Sequence, residues 1–248
     1  MENKRKKVIY TCLVGSYDDL RQPKAVRGDW DYVCFSNDIA ETRIGVWEIR
    51  RIPYENDNAT RLSRYPKLLP HKVLGDYRYS LYLDANITIE SEDFYEICDR
   101  LIAGGTLIAQ VPHLWRDCIY DEIRECAKLG KDRFKTLREQ CRFLQSEGFP
   151  HHFGLYENNM LLRAHRDDAV VAISELWWKT FLEHANRDQL SLCYVYWKLG
   201  FKPELLFGEQ VNTRNSRYVK YYLHPPVELS VGARVAFHLR KMAAAVIF

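Results

Sequence analysis

Asp84 and Asn86 stand two residues apart directly behind the apolar run Leu81, Tyr82 and Leu83, a spacing that can turn two oxygen ligands toward one divalent cation. The same residues are good turn formers, so spacing alone leaves a cation site and a plain turn both open. Upstream, Arg61, Arg64 and Lys67 recur every third residue, which on a helix gathers three cations on one face. Such a face suits a diphosphate, with a solvated helix surface as the alternative reading. Two more polar stretches end apolar runs in the same way, at 15–18 and 36–38. In an open α/β sheet ligands bind beyond the carboxyl ends of the strands, so these three strand ends are where chemistry is expected first.

The elements needed to hold those residues are written in the hydrophobic pattern. The run VIYTCLV at 8–14, stopped by Gly15, reads as a strand buried on both faces of a parallel sheet, and DYVCF at 31–35 ends at Ser36 in the same style. A third, more exposed strand is expected at 47–52. Helical spacing over 60–74 is interrupted by Pro66 and Pro70, which predicts two short helices, each with its proline early. Further strands are expected at 80–83, 106–111 and 159–163. Helices are expected after Ser91, over 167–184 and from about Arg187, where Leu190, Cys193, Tyr194 and Trp197 keep a helical spacing. A polar helical insertion is expected at about 117–148 and a C-terminal extension at about 208–248. The alternation is that of a single α/β sandwich domain over 1–248 with a mostly parallel central sheet.

Composition narrows the function classes. The chain has 248 residues, 47% hydrophobic and 28% charged, which suits one large domain and excludes a disordered or coiled-coil chain. A net charge of +3, from 36 basic and 33 acidic side chains, gives no electrostatic case for nucleic acid. The opening run Lys4, Arg5, Lys6 and Lys7 is basic enough to touch an anionic lipid surface, with a solvated start to the chain as the alternative. Seven cysteines without a CxxC pair read as reduced, buried thiols. The apolar run at 8–14 is too short for a signal peptide, and no stretch approaches the roughly 18 apolar residues of a membrane span. The expected location is therefore the cytoplasm, with any membrane contact peripheral on its inner face.

The segments RLSRYPKLLPHKVL (61–74) and YSLYLDANI (79–87) resemble the glycosyltransferase-like family of bacterial polysaccharide clusters and of plant mucilage and pectin synthesis. More distantly they are similar to the family-8 retaining glycosyltransferases. YTCLVGSYD (10–18) resembles the family's first strand and nucleotide loop, HLWR (113–116) with Tyr120 and Glu122 its histidine–arginine segment, and RDQLS (187–191) its RDQ motif. Coverage runs over about 8–206.

The resemblance implies a GT-A fold, a nucleotide-diphosphate sugar donor and hexosyltransferase-like transfer to a hydroxyl of a glycan or lipid-linked acceptor. It puts Thr11, Gly15, Tyr17, Ser36 and Asn37 near the nucleoside. Asp84 and Asn86 take the DxD places that hold Mn²⁺ or Mg²⁺ against the diphosphate, with Arg61, Arg64 and Lys67 sharing in its neutralisation. An amide in the second place brings no charge and predicts weaker metal binding. Asp188 and Gln189 fall at the reacting sugar, Asp188 as base for the acceptor hydroxyl or as the group beneath the reacting carbon. The alternative for Asp188 is a helix cap. His113, Arg116, Glu122, His151 and His152 suggest an acceptor pocket. Trp177 and Trp178 can stack on sugar rings, although Trp177 continues a core spacing. Two rivals stand beside this reading. One is a metal-dependent hydrolase built on His113, His151, His152 and Asp84, which needs three converging ligands and an open position. The other is a non-catalytic sugar-nucleotide or glycan-binding protein.

Overall fold

The computed structural model describes residues 7–15, 18–223, 240 and 244. Tyr17, the run 4–6 and most of the expected C-terminal extension lie outside the described residues. The central sheet takes the order β3 (Arg43–Ile44), β4 (Trp47–Arg50), β2 (Asp31–Phe35), β1 (Lys7–Cys12), β5 (Tyr79–Leu83), β8 (Tyr156–Arg163), β7 (Ile108–Pro112), β9 (Glu204–Leu205). β4, β2, β1 and β5 are parallel neighbours, and β7 is parallel to β9. β8 runs antiparallel between β5 and β7, and β3 antiparallel to β4. This is the α/β sandwich with a mostly parallel central sheet that the hydrophobic pattern predicted.

The strands are apolar on both sides because both sheet faces are covered. Tyr10, Val33, Tyr82 and Leu161 face one core, and Ile9, Cys34, Leu81 and Leu162 the other. Fully burying each such side chain contributes roughly 1.5–3 kcal/mol. The helix α3 (Asp93–Ala103) buries Phe94, Tyr95 and Cys98 on the second face. The first face is covered by α6 (Asp168–Glu183), α7 (Gln189–Lys198) and the pair α4 (Ile119–Lys128) and α5 (Phe134–Ser146), which fill the expected insertion. Trp177 is core, and its indole N–H donates to the Asp188 carbonyl at 2.9 Å. Trp178 packs at 5.5 Å against the rings of Tyr54 and Tyr65. Neither borders the crevice described below.

Two local expectations change. Pro70 opens α2 (Pro70–Val73) as expected, but Pro66 sits inside α1 (Ala59–Leu68), near its end. The helix starts earlier than the prolines suggested because the Asn58 side chain accepts from the N–H groups of Thr60 and Arg61, a strong N-cap. β8 begins at Tyr156 rather than 159, since its polar residues Glu157 and Asn158 are buried in hydrogen bonds rather than excluded from the sheet. A second, two-stranded sheet pairs β10 (Val219–Tyr221) with β6 (Ile87–Ile89). It brings the chain after residue 211 back over the end of β5. There the Tyr222 N–H donates to the Asn86 carbonyl, and the Asn86 amide donates to the Tyr222 carbonyl, both at 2.8 Å. Among the described residues no helix is long and apolar enough to cross a membrane.

Candidate active site

A crevice of about 810 Å³ opens at the carboxyl ends of β1, β5 and β7. Gly15, Arg64, Lys67, Asp84, Asn86, His113, Arg116, Glu122, Asp188 and Gln189, drawn from all five sequence segments, border it. Gly15 adopts φ +77°, a conformation suited to glycine, and its N–H donates to Asp38 Oδ2 at 2.7 Å.

At its floor lies a line of charges. α1 presents Arg64 and Lys67 three residues apart, as the spacing predicted. The Lys67 Nζ, on a side chain only 2% exposed, is 2.8 Å from Asp188 Oδ2 and 3.5 Å from Asp84 Oδ1. Arg64 Nε is 3.3 Å from Asp188 Oδ1. The Tyr82 hydroxyl donates to Asp84 Oδ1 at 2.8 Å, and its ring lies 4.8 Å from the Lys67 ammonium. In this state the cationic face is a set of counter-ions for two carboxylates rather than an empty diphosphate cradle. Burial alone pushes the Asp188 carboxyl up, but the charges of Lys67 and then Arg64 outweigh it and hold the group well below the usual carboxylate range. A carboxylate held so low has little proton affinity, which disfavours the role of base and favours that of a fixed negative charge. Nor does its side chain cap α7. Asp188 occupies the cap position, yet it makes no side-chain cap hydrogen bond.

Asp84 is the more open of the two acids, with 35% of its side chain exposed. Among the described residues its Oδ2 accepts no hydrogen bond. Asn86 is buried and its amide nitrogen is committed to Tyr222. No group of three or more His, Cys, Asp and Glu side chains suited to a metal occurs among the described residues. One carboxylate and one amide fit a hard cation that completes its shell with phosphate oxygens and water, and not an all-protein cage. Six acidic and six basic side chains border the crevice. A diphosphate must therefore bring a cation with it or draw a cationic side chain away from its carboxylate.

The three histidines do not converge. His113 Nδ1 accepts the N–H groups of Trp115 at 3.2 Å and Arg116 at 3.0 Å, closing a turn, while Arg116 pairs with Glu122 at 2.6 Å. His151 stacks on Tyr120 with ring centroids 4.3 Å apart, and His152 pairs with Asp117 at 2.8 Å; neither borders the crevice. The ligand set that the hydrolase needs is not assembled among these residues. Thr11, Ser36, Asn37 and Arg61 also stand outside the lining. Thr11 is buried, Ser36 Oγ accepts from the Asp38 N–H, and Asn37 Oδ1 accepts from the Ile52 N–H. Arg61 donates to the Leu182 carbonyl at 3.1 Å and to Asn186 at 3.4 Å, tying α1 to the α6–α7 connection.

Sequence reasoning missed Asn158. A directed chain of hydrogen bonds runs from the core to it: Tyr196 OH donates to Gln110 Oε1, and Gln110 Nε2 donates to Asn158 Oδ1 at 3.1 Å. With its Oδ1 taken by Gln110, Asn158 borders the crevice with its Nδ2 buried and without a partner. An unpaired buried donor costs about 1–3 kcal/mol, so it marks a place for a ligand oxygen. Arg214, Glu157 and Trp115 were also missed and border the same crevice.

Residues 35–222 match the family model described as TOD1/MUCI70, glycosyltransferase-like domain. The Arabidopsis thaliana protein named Probable hexosyltransferase MUCI70 is 24% identical over 249 residues, covering 88% of this chain. The chain spans 42% of that relative's length. Among solved structures, similarity extends to the apo form of the bifunctional glycosyltransferase WbbM, with a TM-score of 0.46, 10% identity and coverage of 99% of this chain and 45% of that one. Galactosyltransferase LgtC, in complex with donor and acceptor sugar analogues, gives 0.44 and 11%, with 97% and 95% covered. The family match begins at the end of β2 and runs through the segment that clasps the Asp84 turn, most of the chain, and the chain therefore belongs to the TOD1/MUCI70 glycosyltransferase-like family.

Proposed function

We propose that the chain is a glycosyltransferase that takes a nucleotide-diphosphate sugar at the ends of β1 and β5 and moves the sugar to a hydroxyl of a glycan or lipid-linked acceptor. The setting is surface polysaccharide or glycan synthesis in the cytoplasm, with any membrane contact peripheral. The observation that carries this reading is the line Asp188, Lys67, Asp84: a buried carboxylate kept ionised by a lysine that also reaches the open carboxylate at the end of β5.

The nucleoside lies toward Gly15 and the diphosphate at Asp84. Asp84 and Asn86 would hold Mn²⁺ or Mg²⁺, which supplies charge neutralisation for the leaving diphosphate. Arg64 and Lys67 stand ready to share that charge as Asp84 turns to its new partner. The negative charge of Asp188 then faces the positive charge that develops on the sugar in an oxocarbenium-like transition state. Because its counter-ions already orient it, it needs no reorganisation at that moment. Gln189, whose amide donates to the Tyr156 carbonyl at 2.9 Å, and the free donor of Asn158 lie within the same crevice to orient the sugar hydroxyls.

The test is incubation with a panel of sugar nucleotides, with and without Mn²⁺. Donor-dependent release of nucleoside diphosphate that is abolished in Asp84→Ala and retained in Asn86→Asp, with tighter Mn²⁺ binding in the latter, is the expected result. Undiminished release by Asp84→Ala at saturating donor overturns the assignment. Binding without turnover by the wild type points instead to a sugar-nucleotide-binding protein.

A further inference from the structure

The far end of the crevice carries an aromatic surface that the donor reading leaves unused. Trp115 follows β7 and is 63% exposed, yet its indole meets two neighbouring side chains, His113 and Arg214. Its backbone N–H donates to His113, whose ring meets the indole edge-on with centroids 5.9 Å apart. The Arg214 guanidinium lies 5.1 Å from the indole centroid and 4.5 Å from that of Tyr221. Arg214 is itself anchored by an ion pair to Glu157, a side chain 6% exposed, which also accepts from Thr213 at 3.2 Å. An exposed indole normally keeps its rotamer freedom; contacts with His113 and Arg214 restrict this one before a ligand arrives, which reduces the ordering cost of binding.

Position says which part of a ligand reaches it. β1 and β7 are separated by β5 and β8, so three strand intervals, roughly 14 Å, divide the Gly15 end from the Trp115 end. A nucleotide with its base toward Gly15 and its phosphates at Asp84 fills the first part. The reacting sugar lies by Asp188 and Asn158, and Trp115 stands beyond it.

Resting on the transfer reading above, we propose that Trp115 is the stacking platform for a pyranose ring of the acceptor, pre-set by Arg214 and His113. The apolar C–H face of a sugar suits the open indole face, and the charged groups of Arg116 and Arg214 beside it suit the hydroxyls at the ring's edge. The platform arises only through the clasp of β10 on β6, since Arg214 and Tyr221 come from the chain after residue 211.

The test titrates the intrinsic fluorescence of the full chain with cellotetraose, xylotetraose, galactotetraose and tetragalacturonate, in the wild type, Trp115→Ala and Trp115→Phe. UDP and GDP binding is measured in parallel by calorimetry. The expected result is that at least one oligosaccharide binds, that Trp115→Ala weakens it about tenfold or more while Trp115→Phe keeps most of the affinity, and that nucleotide affinities stay within about twofold. Oligosaccharide binding that Trp115→Ala leaves unchanged, or no binding of any probe by the wild type, overturns the proposal. So does a parallel loss of nucleotide affinity, which would put a base on the indole. Failure of the transfer reading appears separately, as absence of donor-dependent nucleoside diphosphate release by the wild type.

Discussion

Lys67 and Asp188 face each other across 2.8 Å with only 2% and 6% of their side chains exposed, joining the end of α1 to the start of α7. The pair couples the two halves of the proposed reaction. Lys67 also reaches Asp84, so a change of charge at the proposed diphosphate place is felt by Asp188. Coulombic attraction at this depth is screened far less than at the surface.

Replacing Asp188 by Asn should therefore do more than slow the reaction. It leaves the buried Lys67 ammonium with only its longer contact to Asp84 at 3.5 Å, and breaking a buried pair from one side costs up to about 3–5 kcal/mol. At about 2–4 °C per kcal/mol for a chain of this size, the melting temperature should fall by on the order of 10 °C. Turnover should fall by about 10² or more. The double variant Lys67→Met, Asp188→Leu separates the two effects: calorimetry should find much of the stability restored while nucleoside diphosphate release stays lost. Turnover within about threefold of wild type in Asp188→Asn would remove Asp188 from the mechanism. The pH dependence has a definite sign. The folded carboxyl titrates below its unfolded value of about 3.9, so the pair's stabilisation is complete above about pH 4 and is lost only as the pH falls below that.

Asn158→Asp keeps an oxygen for Gln110 Nε2 but removes the unpaired Nδ2 donor. Transfer from the preferred donor, read as kcat/KM, should fall about tenfold or more, while affinity for the free nucleoside diphosphate stays within about twofold. An equal loss of both would mean that the donor serves the phosphates rather than the sugar.

His165 supplies an acid-sensitive element away from the crevice. It is fully buried, its Nε2 meets the Leu74 carbonyl at 3.1 Å, and its Nδ1 has no partner. Burial pushes it from an ordinary 6.5 down to about 4, against the opposing pull of that carbonyl. The unfolded chain therefore takes up the proton first as pH falls. The penalty is absent above pH 6.5 and grows toward pH 4, to a loss on the order of 3 kcal/mol. Urea midpoints at pH 7 and pH 4.5 should converge in His165→Gln relative to wild type. An unchanged difference between the two pH values would show that other groups carry the acid sensitivity.

Much of this protein was legible in its residues alone. The parallel strands at 7–12, 31–35 and 79–83 are largely apolar runs followed by Gly15, Ser36 and Asp84, and a run buried on both faces has few other stable places to go. The motif residues Arg64, Lys67, Asp84, Asp188 and Gln189 carried a resemblance specific enough to bring them to one crevice. What the order of residues could not express was direction and partnership. β8 is antiparallel between its neighbours, so its amino end, with Glu157 and Asn158, lies at the crevice, and a rule that looks to carboxyl ends of strands passes over it. Arg214 and Tyr221 arrive through the pairing of β10 with β6, more than a hundred residues away in the chain. The ionisation of Asp188 depends on two cations from another helix, and a charge's proton affinity is set by its surroundings in space, which only the folded arrangement of α1, β5 and α7 decided.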